Sequence, residues 1–416
     1  MDIDISLLKN RHFTKLWVGQ GVSLFGSLVS RLALPFVVIY VLNASATQIA
    51  WLRVCESVPG IAVGLFAGVW VDWLRRRQLM IVSDIARAVL VGWIVLVLFL
   101  GHLGWIPILL TSAVLSIFTV TFDSAYGAYI PTLVKPDEIT DANAKLSATG
   151  ALAEVVGFSL SGALFEWLGG ALTLSLDALS FLFSAFALLS IRKPEVHTVT
   201  SQQREPLRQA LVKGLTYLWS NKKLTVLTGI SGVQNFFYGM SGTVYMLYIS
   251  RGLDVAPGVQ GVLYAVGGVA SFAISLIAGR LFQKLGLGKV LILVSVVGTA
   301  GAAFLPVAFG PMWLVILFIL AQQVVGDSAD TVLEIGVTAF CQTQTDNGFL
   351  GRVNSIWQVI TSLCMLAGTL MAGEMAGRVG LRDTLFVAVA VRFLAIALVA
   401  LSPLRNARGM DESTPS

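Results

Sequence analysis

The sequence predicts an all-α integral membrane protein, with twelve transmembrane helices in two pseudo-symmetric six-helix bundles. Three observations predict it: charge is scarce, apolar runs of spanning length recur from end to end, and the basic residues gather in the short loops of one side. Of 416 residues, 56% are hydrophobic and only 12% are charged. Soluble domains carry about 25% charged residues. A bilayer solvent explains that deficit, and a larger soluble core does not. The mean hydropathy of +0.82 agrees. A net charge of +5 could signal nucleic acid, but most of the Lys and Arg residues lie between apolar runs. That placement is a topological signal, so no nucleic-acid partner is expected.

The elements follow in order. The N-terminus "MDIDISLLKNRHFTKLW" lacks the short apolar core and cleavage site of a signal peptide, so the first span, 14–41, is expected to stay as an anchor. The second span, 48–71, runs into "GVWVDWLRRRQLMI", where Gly68 and Asp72 precede Arg75, Arg76 and Arg77. Spans 78–100, 106–130, 144–166 and 170–191 complete the first half, residues 1–191. The second half, 224–416, holds spans 224–250, 258–282, 289–309, 312–340, 353–376 and 384–402 and a short tail. A span needs about 20 apolar residues. Backbone polar groups cannot be left open in lipid, so each span is a helix. No run alternates as lipid-facing strands do, which excludes a barrel.

Between the halves, residues 192–223 form the one long polar connection, read as a cytoplasmic linker. Within it Leu207, Leu211, Leu215 and Leu218 recur at helical spacing opposite Arg208 and Lys213, as in a helix lying on the membrane surface. Orientation follows from Lys and Arg. One side receives Lys9, Arg11, Lys15, Arg75–Arg77, Lys135, Lys145, Lys284, Lys289, Arg352, Arg405 and Arg408, while the other receives Arg251, Arg378 and Arg382. That bias places both termini in the cytoplasm and the chain, multi-pass, in the inner cell membrane. The halves also echo each other: "AGVWVDWLRRR" parallels "AGRLFQKLGLGK", with Gly279 for Gly68 and Gln283 for Asp72. Two such halves mark a transporter built from repeats. Cys55, Cys341 and Cys364 lack CxxC spacing and read as packing residues; no metal site is expected.

These residues resemble the major facilitator superfamily of secondary transporters, and within it the twelve-helix efflux branch that includes macrolide exporters and the enterobactin (siderophore) exporter. The similarity runs over nearly the whole chain. "GVWVDWLRRRQLM" is similar to the superfamily's loop motif, "IPTLVKPDEITDANAKLSA" to the link from helix four to five, and "GGALTLSLDALSFLFSAFALL" to helix six. "GLTYLWSNKKL" and "GRVNSIW" resemble the end of the central loop and the start of helix eleven. The resemblance implies a cytoplasmic gate at Gly68, Asp72, Arg75, Arg76 and Arg77, with Arg352 near its partner helix and a weaker copy at Gly279 and Gln283. Small residues let helices approach, and an acid suits the positive end of a helix dipole.

Charged residues inside spans are costly and mark functional sites. Asp84 and Arg87, three apart, read as a structural pair, as does Asp177 as a structural group; Arg392 reads either way. Spans one, four, seven and ten line the cavity of the family, and here each carries a polar stripe at steps of three and four. The stripes are Gln20, Ser23, Ser27 and Arg31; Ser112, Ser116, Thr119 and Asp123; Gln234, Tyr238, Ser241 and Tyr245; and Gln323, Asp327, Asp330 and Glu334. The expected substrate cavity is therefore Arg31, Asp123, Gln234, Tyr238, Tyr245, Gln323, Asp327, Asp330 and Glu334. It suits a small amphipathic molecule, cationic by the acid excess; an anionic siderophore would lean on Arg31.

No G-x-x-x-x-G-K-[ST] phosphate loop occurs, so a proton gradient, rather than ATP or a cofactor, is the expected energy source. Glu154, Asp327 and Glu56 are the candidate proton carriers, with Arg53 placed to pair with Glu56. A monomer working in the bilayer on a small molecule and protons is expected. The chain lacks HExxH and GxSxG, and an enzyme is not expected. A lipid or lysolipid transporter of the same fold and a non-transporting sensor remain the competing readings.

Overall fold

Helices make up nearly all of the described chain, and no strand occurs among the described residues. The computed structural model describes residue 7 and residues 10–193, 207–346 and 349–406, without the side chains of 65–73, 207–211, 403 and 406. In chain order the helices are α1 (Arg11–Val41), α2 (Ala46–Trp73), α3 (Arg76–Phe99) and α4 (Trp105–Leu133). The run Ile139–Leu189 is two helices, α5 (139–168) and α6 (170–189), because Gly169 adopts φ 76 and ψ 168. A side chain would strain that conformation, so only glycine turns the chain there in a single residue. Then come α7 (Leu207–Ser220), α8 (Lys222–Leu247, continued by Tyr248–Gly252), α9 (Pro257–Leu285) and α10 (Leu287–Ala303). The last three are α11 (Met312–Thr343), α12 (Leu350–Val379) and α13 (Leu381–Ala400).

Among the described residues, eight helical runs are long and apolar enough to cross a membrane, one of them holding both α5 and α6. Helices α1–α6 and α8–α13 begin and end close to the twelve expected spans. The ninth differs most: α10 ends at Ala303 rather than 309, since 304–307 form turns ahead of Gly310 (φ 97) and Pro311.

The two halves repeat each other in backbone detail. Helix α1 ends in a π-turn, Val37–Val41, then Asn43 at φ 50; α8 ends in a π-turn, Tyr248–Gly252, then Asp254 at φ 54. Asn and Asp tolerate the left-handed region that closes both turns. Gly380, at φ 94 and ψ 166, joins α12 to α13 as Gly169 joins α5 to α6.

The described residues fall into two compact units. Unit 1 draws on Met1–Ala44, Trp51–Ser201 and Ala256–Ala265, and unit 2 on Ser45–Ala50, Gln202–Val255 and Val266–Ser416. Unit 1 buries Phe13, Leu16, Met80, Tyr129, Leu133 and Leu188 in one cluster. Unit 2 buries Phe282, Leu291, Leu333, Phe340, Val353 and Ile356. Helix α7 joins that second core: Leu218 is fully buried, Tyr217 stacks on Phe349 at 4.5 Å, and the Tyr217 hydroxyl accepts from the Asp346 N–H at 3.0 Å. The described part of its apolar face, Leu215 and Leu218, thus packs on protein, while the side chains of Leu207 and Leu211 lie outside the described residues.

Candidate functional site

In unit 2, α8, α11 and α12 enclose a cavity of about 230 Å³. Gln234, Asn235 and Tyr238 come from α8, Asp330, Glu334 and Thr338 from α11, and Trp357 and Thr361 from α12. The helices can stand this close because α8 and α12 meet on glycines. A Cβ on Gly239 would run into the Met365 carbonyl, and one on Gly368 into the Phe236 carbonyl.

The two acids of the cavity differ in charge balance. Asp330 is 6% exposed and makes a two-point ion pair with Arg392 of α13, itself 2% exposed. The Arg392 guanidinium also lies 4.5 Å from the centre of the Phe237 ring. Both charges are compensated and hydrogen-bonded, which is the condition for burying them. Glu334 is exposed and has no ion-pair partner among the described residues. The cavity therefore presents one uncompensated negative charge beside Trp357 and Tyr238.

Asp327 is not among the residues that line this cavity, though the charges of Asp330 and Arg392 act on it. The six residues Gln322–Asp327 form a π-turn, which breaks the 3.6-residue period just ahead of Asp330. Its polar groups make their own chain. Gln323 Nε2 donates to the Tyr245 hydroxyl at 2.7 Å, that hydroxyl donates to Gln322 Oε1 at 2.9 Å, and Gln322 Nε2 donates to Asp327 Oδ1 at 2.9 Å. Glycines make the room: a Cβ on Gly301 would meet Gly326 at 2.5 Å, and one on Gly267 would strike the Gln323 amide. Of the expected unit 2 cavity residues, the structure brings Gln234, Tyr238, Asp330 and Glu334 together, and gathers Tyr245, Gln323 and Asp327 into this second group.

The unit 1 candidates are dispersed. Arg31, Asp123 and Glu154 are exposed on α1, α4 and α5. Glu56 is paired with Arg53 at 3.2 Å. For the gate motif, the side chains of Gly68 and Asp72 lie outside the described residues. Arg75 is exposed, while Arg76 Nη1 donates to the Ala128 carbonyl at 3.1 Å. Arg77 donates to the Leu188 and Leu189 carbonyls, both at 2.8 Å. Arg77 thus binds carbonyls at the C-terminal end of α6, where a cation is favoured, and Arg76 a carbonyl in the second-last turn of α4. In the second copy Gly279 and Gln283 are exposed, and a Cβ on Gly279 would meet nothing within 4 Å. The Arg352 guanidinium lies 5.5 Å from the centre of the Phe349 ring, beside α7.

Sequence reasoning did not single out Trp357, Asn235, Thr338 or Thr361 as cavity residues. Trp357 carried no signal, since an aromatic residue in a span is ordinary. Arg392 did carry one, as a mid-span cation that needs a partner.

A family model described as transmembrane secretion effector matches residues 4–416. The chain is 22% identical to macrolide efflux protein A of Streptococcus pyogenes, over 91% of this chain and 94% of that protein. It is 27% identical to the multidrug efflux pump Tap of Mycobacterium tuberculosis, over 90% of this chain and 89% of that one. The crystal structure of nucleoside transporter NupG is similar to it at a TM-score of 0.73 and 12% identity, covering 94% of this chain and 98% of that chain. That likeness shows the fold.

Proposed function

Starting from the fact that this chain belongs to the transmembrane secretion effectors of the major facilitator superfamily, we propose that it exports a small amphipathic cation in exchange for protons, by alternating access. The observation that carries the reading is the charge balance of the unit 2 cavity: Arg392 neutralises Asp330, and Glu334 remains. A lone carboxylate beside Trp357 and Tyr238 suits a cationic nitrogen, which an aromatic face also attracts. Drug-sized ligands fill about 300–1,000 Å³. A cavity of about 230 Å³ holds the charged end of such a molecule, not all of it. Export is the direction named for the macrolide and multidrug relatives.

The absence of a phosphate loop supports a proton gradient as the energy source. Asp327 is the sequence-selected carrier best placed for it, at the end of a hydrogen-bonded chain. Glu56 is held by Arg53, and Glu154 is exposed. The protein works as a monomer in the inner membrane, with both termini cytoplasmic and residues 192–223 linking the halves.

The test uses everted proteoliposomes under an imposed proton gradient and a panel: a lipophilic cation dye, a macrolide, a catecholate siderophore and a lysolipid. The cation dye is expected to accumulate and to leak out when an uncoupler is added. Glu334→Gln is expected to raise its KM about tenfold, the equivalent of about 1.4 kcal/mol. Uptake of the siderophore or lysolipid in place of the cation would overturn the reading.

A further inference from the structure

A charged cluster in unit 1 has no part in the cavity described above. Asp84 is fully buried, Arg87 is 5% exposed and Asp177 is 3% exposed. Arg87 Nη2 donates to Asp84 Oδ1. Its guanidinium lies between two rings, 4.1 Å from the centre of Phe122 and 4.3 Å from that of Phe181. Those rings fix its reach. Phe122 adjoins Asp123 on α4, and Phe181 stands one turn beyond Asp177 on α6. The Arg87 charge acts on both of these carboxylates. Asp177 Oδ1 accepts hydroxyl hydrogen bonds from Ser27 at 3.3 Å and Ser180 at 3.4 Å. Ordinary O–H···O bonds are about 2.7–2.8 Å. Glycine sets the position of α6: a Cβ on Gly26 would strike the Ser180 hydroxyl and come within 3.1 Å of Asp177 Cα.

Two polar atoms at the centre are unspent. Asp84 Oδ2 and Arg87 Nε are buried and make no hydrogen bond of ordinary geometry, although the Ser184 hydroxyl acts on Asp84. The charges do not balance either. Asp123 reaches the surface of the unit, but Asp84 and Asp177 do not, so two buried carboxylates share one guanidinium. With both ionised, the interior carries one uncompensated negative charge, which is strongly unfavourable away from water. One proton cancels it, converting one carboxylate to a neutral acid. Of the charged groups, Arg87 on α3 acts on Asp177, on Asp84 of its own helix and on Asp123 of α4, and Tyr126 lies by Asp123. Arg31 on α1 and Glu154 on α5 are exposed, and α6 carries no other charge.

We propose that this cluster is a proton-binding site of the transport cycle, with Asp177 taking the proton, Arg87 pairing with Asp84 while Asp177 is protonated and shared by both carboxylates once it is not, and Asp123 exchanging the proton with the surface. The proposal rests on the proton-exchange reading above and adds a carrier in unit 1 to Asp327 in unit 2. The unspent Nε is what allows the switch. With Asp177 protonated, Arg87 stays on Asp84; when Asp177 gives up its proton, the guanidinium turns a donor toward it. The cluster is neutral with the proton bound; once the proton has left it carries one net negative charge, and the guanidinium then faces both carboxylates.

The test combines a proton count with transport. Purified wild type and Asp177→Asn are titrated between acid and alkaline pH in weakly buffered detergent solution with a pH-sensitive dye. The variant is expected to bind one proton fewer per chain. An equal count overturns the proposal, whatever the protein transports. In proteoliposomes, Asp177→Asn is expected to lose at least about tenfold of gradient-driven uptake of the cation dye while keeping gradient-free counterflow, and Asp177→Glu to recover coupling. Full coupling in Asp177→Asn overturns the proposal and leaves proton exchange standing. Uptake by wild type that ignores an uncoupler sinks the exchange reading itself. Should Asp177→Asn not fold, wild type is treated with a carbodiimide, which modifies protonated carboxyls in apolar surroundings. Labelling of Asp177 at acid but not alkaline pH supports the proposal, and its absence overturns it.

Discussion

At the residue scale the buried charges of the unit 2 cavity are answered from a second helix. Asp330 and Arg392 stand 62 residues apart and pair in the interior. Removing either partner of such a pair costs about 3–5 kcal/mol, because the other stays behind uncompensated. Gly298 on α10 makes the pairing possible, since a Cβ there would strike Arg392 Nη2 and lie 2.8 Å from Asp330 Oδ1. The guanidinium cannot swing away freely, being held against Phe237. Gly298→Ala is therefore expected to destabilise the protein by about 1–3 kcal/mol, the usual cost of overpacking. Thermal unfolding of the purified protein in detergent measures it, and an unchanged midpoint would show that the pair yields. The stripe of acids on α11 was readable from three- and four-residue steps. Which acid stays charge-neutral was not, because the answering cation sits on another helix.

At the element scale, two local rules decide the architecture. The first is where a helix departs from its period. The sequence stripe Gln323, Asp327, Asp330, Glu334 assumes a regular helix, and the π-turn Gln322–Asp327 splits it into two groups with different partners. Nothing in the local sequence announces the turn, which is fixed by the close approach of Gly301 to Gly326. The second rule concerns helix ends. Arg77 binds the last carbonyls of α6, Arg76 binds Ala128 of α4, and Lys15 donates to the Ser190 carbonyl at 2.8 Å. Charged hydrogen bonds contribute about 1.5–3 kcal/mol when buried and less at a half-exposed end. Arg77→Gln is expected to lower stability by about 1–2 kcal/mol, and Arg75→Gln, at an exposed position, to leave it unchanged. Equal effects of the two in thermal unfolding would mean that the arginines act as a charge cluster rather than as individual caps. The run of three was visible in the sequence, but their separate tasks were not.

At the scale of the whole molecule, the repeat is the strongest internal evidence. The paired π-turns, Asn43 with Asp254, and Gly169 with Gly380 recur at equivalent points of the halves. The sequence echo between "AGVWVDWLRRR" and "AGRLFQKLGLGK" touched none of these points. The backbone keeps the repeat where side chains have diverged, because a turn constrains φ and ψ more than identity. Orientation is a property of the whole chain as well, and the asymmetry of Lys and Arg predicts it. Green fluorescent protein fused after Arg405 is expected to fluoresce, and alkaline phosphatase at the same point to be inactive. Phosphatase inserted at Gly101–Gly104, between α3 and α4, is expected to be active. The reverse pattern would invert the cytoplasmic placement of the termini.

The sequence by itself determined that this is a helical membrane protein, roughly where its helices lie, and which superfamily it resembles. Those properties depend on composition and on short periods, which each segment carries alone. Only the tertiary structure decided that Arg392 neutralises Asp330, that Glu334 remains the cavity's unpaired charge, and that Asp84, Arg87 and Asp177 form one cluster rather than scattered structural groups. Each of these is a charge balance between helices far apart in the chain. In a low-dielectric interior the energy of a charge is set by its neighbours in space, and no window of sequence contains them.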